Sequence, residues 1–375
     1  MLTLKEIYMI IGVPREIKTD EYRVSLLPVG AHLLKQDGHQ VLVERDCGVG
    51  CGFSNEAYEQ AGAEIVDTPE EIFERSDLIL GVKEPQKVEY QERMRKGQLV
   101  FTYLHYAADE ELTRGCMESG ATTIAYETLF DANGRLPLLT PMSEVAGKMS
   151  TQEGAKFLER PMLGRGILLG GVAGVAPAEV LVLGGGVVGT EAAKMAAGLG
   201  ANVTIMDISL DRLRYLDDIM PANVQTVFCD PHAVEKYLKT ADLVIGAVLI
   251  PGGAAPKLVR REHLPMMKDG AVIVDVAVDQ GGCCETTRAT THTDPVFVID
   301  GVVHYCVANM PGAVSHTSTL ALCNATFPYV RQLANLGVDG FAALSAGHAA
   351  GVNTRDGKIV NKTVADTFPH LPSSC

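Results

Sequence analysis

The sequence predicts an α/β protein built of two Rossmann-like doubly wound parallel-sheet domains separated by a cleft. Three observations predict it: two successive series of short β-branched runs alternating with amphipathic segments, a likeness between the two series, and a glycine-rich strand-to-helix turn in the second. At 375 residues the chain exceeds what one hydrophobic core supports, so more than one domain is expected.

In the first series, 10–13, 40–43, 64–66, 78–82, 99–102 and 123–125 read as strands. A helix-like stretch at 143–159 and a glycine-rich segment at 163–175 follow, and a second series places strands at 179–183, 202–206, 224–228, 243–246 and 271–275. The series align with each other: Ser76-Asp77-Leu78-Ile79-Leu80-Gly81 matches Ala241-Asp242-Leu243-Val244-Ile245-Gly246, and Gly97-Gln98-Leu99-Val100-Phe101 matches Gly270-Ala271-Val272-Ile273-Val274. In such sheets ligands sit beyond the carboxyl ends of the strands, which here carry Lys83 and His105 in the first copy and Val248 and Asp279 in the second.

Composition excludes several function classes. The net charge is −14 with no Lys/Arg-dense run, so neither nucleic acid nor an anionic membrane is an expected partner. No apolar stretch reaches the roughly 18 residues of a membrane span, and the first eleven residues carry Lys5 and Glu6 where a signal peptide needs an apolar core, so a cytoplasmic protein is expected. Nine cysteines, an odd number without a C-x-x-C pair, argue against a disulfide framework and against a metal site.

The cofactor chemistry rests on one motif. Val180-Leu181-Val182-Leu183 runs into Gly184-Gly185-Gly186-Val187-Val188-Gly189, a helical 190–199, and a strand ending at Asp207. Gly184 permits the tight turn, Gly186 lets the backbone approach a pyrophosphate at the helix N-terminus, and Gly189 lets the helix pack on the strand. Asp207 is placed to bond ribose hydroxyls and repel a 2′-phosphate, which selects NAD over NADP; the competing reading makes it the N-cap of 210–216. Arg212 reads equally as a neighbour of the ribose or a solvated helix charge.

Candidates for holding a substrate are few. Arg23 lies in the loop after the first strand, and its planar fork suits a carboxylate; a surface ion pair is the alternative. Lys83 follows an apolar strand, and His105 ends another, where an imidazole can give or take the proton that hydride transfer requires. Asp279 sits on the matching loop of the second copy, although Asp in a Gly-rich turn is common for structural reasons. Asp275 reads as a loop-bonding or capping residue.

At this point the chain resembles a known family. Gly12-Val13-Pro14-Arg15-Glu16-Ile17-Lys18, Val82-Lys83-Glu84-Pro85, Thr102-Tyr103-Leu104-His105, Pro137-Leu138-Leu139-Thr140-Pro141-Met142-Ser143, the glycine turn and Ala308-Asn309-Met310-Pro311-Gly312-Ala313 are similar to segments of bacterial alanine dehydrogenases, from the alanine dehydrogenase/transhydrogenase alpha-subunit family. The resemblance implies reversible NAD-dependent deamination of L-alanine to pyruvate and ammonia in a homohexamer. It implies Arg23 and Lys83 as carboxylate ligands, His105 and Asp279 as the catalytic pair, and Ser143, Val187, Val188, Asp207, Arg212, Val248, Leu249 and Asn309 as cofactor contacts, with Val276, Asp279 and Met310 completing the set. Cys229, also in that set, stands where relatives usually have Ser, and Met9 is a second candidate initiator. The resemblance also implies a discontinuous substrate domain, 1–137 plus 314–375, around an NAD-binding domain, 138–313. Two rival readings remain: a transhydrogenase-like subunit that hands hydride to a partner, and a catalytically inert NAD-binding regulator.

Overall fold

The computed structural model describes residues 7–248 and 255–375, with the backbone alone for Asp279 and Gln280. In chain order the strands are β1 (Ile10–Val13), β2 (Gln40–Glu44), β3 (Glu64–Val66), β4 (Leu78–Leu80), β5 (Leu99–Thr102), β6 (Thr122–Ala125), β7 (Glu179–Leu183), β8 (Asn202–Asp207), β9 (Val224–Phe228), β10 (Leu243–Gly246), β11 (Val272–Asp275), β12 (Val296–Ile299), β13 (Val302–Tyr305), β14 (Val352–Arg355) and β15 (Lys358–Ile359). They fall into two compact units, 1–142 with 312–375, and 143–311.

The first unit is one sheet in the order β15-β14-β6-β5-β4-β1-β2-β3. From β3 to β6 all pairings are parallel, and β14 and β15 add an antiparallel edge. The central strands are covered on both faces, which is why they read as unbroken apolar runs such as Leu78-Ile79-Leu80. Helix starts follow local chemistry: Ser54 caps Asn55–Ala61, Thr68 caps Pro69–Arg75 with Pro at the first position, and Asp109 caps Glu110–Glu118. Leu42, Ile72, Phe73, Ile79, Val100 and Tyr106 form the core on one side of this sheet. The helix Ser315–Ala342, interrupted where Gly337 takes φ 65°, carries the chain to β14.

The second unit orders its strands β12-β13-β11-β10-β7-β8-β9, again parallel except for the edge strand β12. Setting β7 to β11 beside β1 to β5 and β13 beside β6 gives the same order in both units, so the likeness between the two sequence series extends to topology. Both sheets are mixed rather than purely parallel. The antiparallel strands were absent from the sequence reading, and both are built on an Asp-Gly turn: Asp300-Gly301 between β12 and β13, and Asp356-Gly357 between β14 and β15, all four residues at positive φ.

Candidate active site

In the first unit the strands β5, β4 and β1 are neighbours, and the chain leaving their carboxyl ends carries His105, Lys83 and Arg23 in turn. The β1 connection runs 14 residues before the helix Pro28–Gln36 begins, and it folds its charges inward. Arg23 is 3% exposed and Glu21 6%. The two lie fork to fork: Arg23 Nε donates to Glu21 Oε1 at 2.6 Å, Nη2 pairs with Oε2, and the Arg23 backbone N–H donates to Oε1 at 3.0 Å. Arg23 Nη1 faces Met142 Sδ at 3.0 Å. Burial works against the Arg23 charge, but the bond and charge of Glu21 more than restore it, so the guanidinium stays ionised. A cavity of about 250 Å³ beside it is lined by Arg15, Lys18, Asp20, Glu21 and Arg23, charges of both signs.

Glu16 joins this loop to the next. As a whole residue it keeps some exposure, but its carboxyl group lies inside, accepting the backbone N–H groups of Val82 at 2.6 Å and Lys83 at 3.3 Å. Burial pushes its pKa up to about 8; the two N–H donors pull the other way, and Glu21 and Glu89 add to the rise. The Lys83 backbone is held a second time, its carbonyl accepting from Thr102 Oγ1 at 2.7 Å. Beside it, burial disfavours a charge on Glu84, yet the bond and charge of Lys18, then the charges of Lys83 and His105, hold this carboxyl below its ordinary range.

His105 is exposed and occupies the left-handed region, φ 52° and ψ 31°, which a non-glycine residue keeps only when its surroundings enforce it. They do: Glu127 accepts the backbone N–H groups of Leu104 at 3.1 Å and His105 at 2.6 Å, and the imidazole stacks on Tyr103 with centroids 5.8 Å apart. Tyr103 is itself fastened through its hydroxyl to the Leu138 carbonyl at 2.6 Å.

In the second unit the glycine turn has the features a pyrophosphate needs. Gly184 takes φ +102°, closed to L side chains without strain, and a Cβ there would lie 2.6 Å from the Ala247 carbonyl oxygen. At Gly189 a Cβ would stand 1.8 Å from the Gly184 oxygen, whereas at Gly186 it would meet nothing within 4 Å. Gly186 is the N-cap of the helix Val187–Gly198, whose first N–H groups receive no side-chain cap. The Asp207 carboxylate accepts Gly185 N–H at 2.8 Å and Ser209 N–H at 2.8 Å. Its other lone pairs suit two ribose hydroxyls. The N-cap of the following helix is Ser209, not Asp207. Arg212 is half-buried and donates to the Gly185 carbonyl at 2.5 Å and the Thr190 hydroxyl at 2.7 Å, bracing the turn.

The remaining expected cofactor positions belong to the same unit. Val187 is exposed, while Ser143, Val188, Cys229, Val248 and Val276 are half-buried, and Met310 is buried. Asn309 shares with His105 a left-handed backbone, φ 61°, and its carbonyl lies 3.3 Å from His292 Nε2. Asp279 lies in the 3-10 turn Val276–Gln280 that follows β11. Leu249 lies outside the described residues. Asp275 is a capping residue: Ala277 N–H bonds its Oδ1 at 3.1 Å, and Cys283 N–H at 2.9 Å, Cys284 N–H at 3.2 Å and Thr287 Oγ1 at 2.6 Å bond its Oδ2. The carboxylate lies close to the buried Cys283 and Cys284 sulfurs, with three of these four donors directed to Oδ2.

Sequence reasoning missed Glu16, Glu21 and Glu127. Glu21-Tyr22-Arg23 offered a faint signal, an acid and a base two residues apart in one loop; Glu127 offered none.

A glycine turn on the central strand of one parallel sheet, with a second sheet of the same order carrying Arg, Lys and His at adjacent strand ends, defines a two-unit α/β protein of the dinucleotide-binding class. The family models for the alanine dehydrogenase/PNT N-terminal domain and C-terminal domain match residues 12–146 and 150–362. An alanine dehydrogenase from Halomonas elongata is 54% identical over 96% of this chain and 97% of its own length. A solved L-alanine dehydrogenase superposes with a TM-score of 0.93 at 50% identity, covering 97% of this chain and all of that one; a transhydrogenase from Sinorhizobium meliloti gives 0.80 at 26% identity, over 94% and 99%. The chain belongs to the alanine dehydrogenase/PNT family. That membership makes it an oxidoreductase, and its dinucleotide-binding fold implies a nicotinamide cofactor. Relatives from Mycolicibacterium smegmatis and Bacillus subtilis, 50% and 54% identical, are also alanine dehydrogenases, which disfavours the transhydrogenase-like reading.

Proposed function

We propose that this chain catalyses the reversible, NAD-dependent oxidative deamination of L-alanine to pyruvate and ammonia. The observation that carries the reading is the placement of His105, Lys83 and Arg23 beyond three adjacent strands of the first sheet, β5, β4 and β1. A catalytically inert binding protein has no use for that set.

In this reading Arg23 and Lys83 bind the substrate carboxylate, the first through directed N–H groups and the second as a compact charge. The dinucleotide is held by the Gly184–Gly189 turn, by the N-terminus of the helix Val187–Gly198 and by Asp207, with Ser143, Val188, Cys229, Val248, Leu249, Val276, Asn309 and Met310 around it. Asp207 selects NAD because its carboxylate would repel a 2′-phosphate, while Arg212 braces the turn. A bound NAD would supply the acceptor for the hydride that leaves the α-carbon. His105 moves protons as water adds to the resulting imine and the carbinolamine collapses, and Asp279 orients the amine or the water. The sum is alanine, NAD⁺ and water giving pyruvate, ammonium, NADH and one proton. Free thiols at all nine cysteines suit a reducing cytoplasm, and the resemblance implies a hexamer.

The test is NADH absorbance with the purified protein, NAD and L-alanine, with L-serine, glycine and L-glutamate as comparisons and NADP as the cofactor control. A rise specific to alanine and NAD supports the reading. NADH binding without amino-acid-dependent reduction of NAD would overturn it in favour of a transhydrogenase-like role.

A further inference from the structure

The Glu21–Arg23 pair is built unlike the other ion pairs of the first unit. Its side chains are 0% and 2% exposed, whereas surface pairs such as Arg45–Asp67 keep half or more of their area in water. Three N–H groups of Arg23, at Nε, Nη2 and the backbone, are directed to one carboxylate. Because the two residues are only two apart in one loop, this carboxylate fixes the guanidinium plane and the local backbone together. A guanidinium offers a carboxylate two bidentate edges, the Nε–Nη2 side and the Nη1–Nη2 end. Glu21 occupies the first. At the other end of the guanidinium Nη1 donates to Met142 Sδ at 3.0 Å.

We propose that Glu21 is a positioning residue for substrate binding: by clamping the Nε–Nη2 edge of Arg23 it fixes the plane and direction in which the guanidinium meets the substrate carboxylate. This rests on the reading of Arg23 as a carboxylate ligand. Glu21 also offsets the charge of Arg23, so affinity at this point comes from directed hydrogen bonds. A buried arginine without its clamp would turn toward whatever acceptor it could reach, and the substrate would lose its register.

The experiment compares wild type, Glu21→Gln, Glu21→Asp, Arg23→Lys and the Glu21→Gln/Arg23→Lys double variant. For each, KM and kcat are measured with L-alanine and with pyruvate, and Kd for NADH by fluorescence, alongside far-UV circular dichroism. The amide of Glu21→Gln puts an N–H donor against an N–H donor and frees the guanidinium. KM for alanine and pyruvate is expected to rise about ten- to hundredfold with a much smaller change in kcat, the pattern of lost binding rather than lost chemistry. Kd for NADH stays unchanged. Glu21→Asp keeps the charge and part of the clamp, and falls between. On the Arg23→Lys background Glu21→Gln adds less than about twofold, because a lysine has no edge to choose. An unchanged KM in Glu21→Gln, additive effects in the double variant, or parallel losses of alanine and NADH binding would each overturn the proposal while leaving the function standing. A wild-type protein that does not reduce NAD with alanine removes the functional reading, and the proposal with it.

Discussion

The glycine turn allows a single methyl group to separate folding from binding. Gly186 and Gly189 are three residues apart in one motif, yet a Cβ at Gly186 would meet nothing within 4 Å and one at Gly189 would lie 1.8 Å from the Gly184 carbonyl oxygen and 3.2 Å from Val182 Cγ1. Gly186 has φ −66° and ψ −163°, a conformation alanine adopts without strain. Gly186→Ala should therefore cost only the N-cap preference of glycine over alanine, about 0.5–1 kcal/mol. The added methyl points into the space where a pyrophosphate approaches the helix, and NADH affinity should fall about ten- to hundredfold, or roughly 1.4–2.7 kcal/mol. Gly189→Ala must instead drive the helix Val187–Gly198 off β7. Overpacking of this kind costs about 1–3 kcal/mol or more, beyond the helix-propensity gain of up to about 1 kcal/mol, and for a unit of this size lowers Tm by roughly 3–10 °C. Fluorescence titration with NADH and thermal unfolding of both variants distinguish the two effects. If Gly186→Ala bound NADH as tightly as wild type, the turn could not be where the pyrophosphate sits.

Other substitutions address the remaining assignments. His105→Ala should lower kcat by about 10²–10⁴ while leaving NADH Kd unchanged; near-normal turnover would move the proton-transfer role elsewhere. Asp207→Ser should raise kcat/KM with NADP by at least about tenfold and weaken NAD, and no gain with NADP would mean that the carboxylate does not face the ribose. Glu16 has a native pKa of about 8 against an ordinary 4.5, so its contribution is intact below pH 4.5 and lost as pH rises toward 8, by at most about 5 kcal/mol at about 1.4 kcal/mol per pH unit. Glu16→Gln should accordingly gain in Tm over wild type as pH rises from 5 to 8, with the gap constant above that; a gap that does not widen refutes a buried, protonated Glu16.

Legibility in the sequence followed how local each cause was. β1, β5, β7 and β10 fall where the apolar runs place them, because strands buried on both faces need apolar side chains throughout, and the edge strands β3 and β9 fall where expected although part of each is exposed. The glycine turn was legible because each glycine answers a backbone demand: positive φ at Gly184, open space at Gly186 and contact at Gly189. The antiparallel hairpins were legible but unread. Asp300-Gly301 and Asp356-Gly357 are strong hairpin signals, but Val352-Asn353-Thr354-Arg355 lacks the apolar run that marks the parallel strands. Glu16 and Glu21 were not legible. Arg15, Glu16, Lys18, Asp20, Glu21 and Arg23 crowd one nine-residue loop, and no periodicity tells which charges turn inward; that depends on which backbone N–H groups the β4 connection leaves to be satisfied.

The two sheets share one strand order, so topology alone gives both the same switch point, between β1 and β4 in one and between β7 and β10 in the other. What differs is the chain leaving the first strand of each. After β7 three glycines lead straight into the helix Val187–Gly198, and the helix N-terminus itself becomes the ligand. After β1 the next helix is delayed to Pro28, and the connection turns the carboxylates of Glu16 and Glu21 inward. Those two acids are the groups that hold Arg23 and the Lys83 backbone in place, so the same strand order presents a helix N-terminus in one unit and a braced side-chain set in the other.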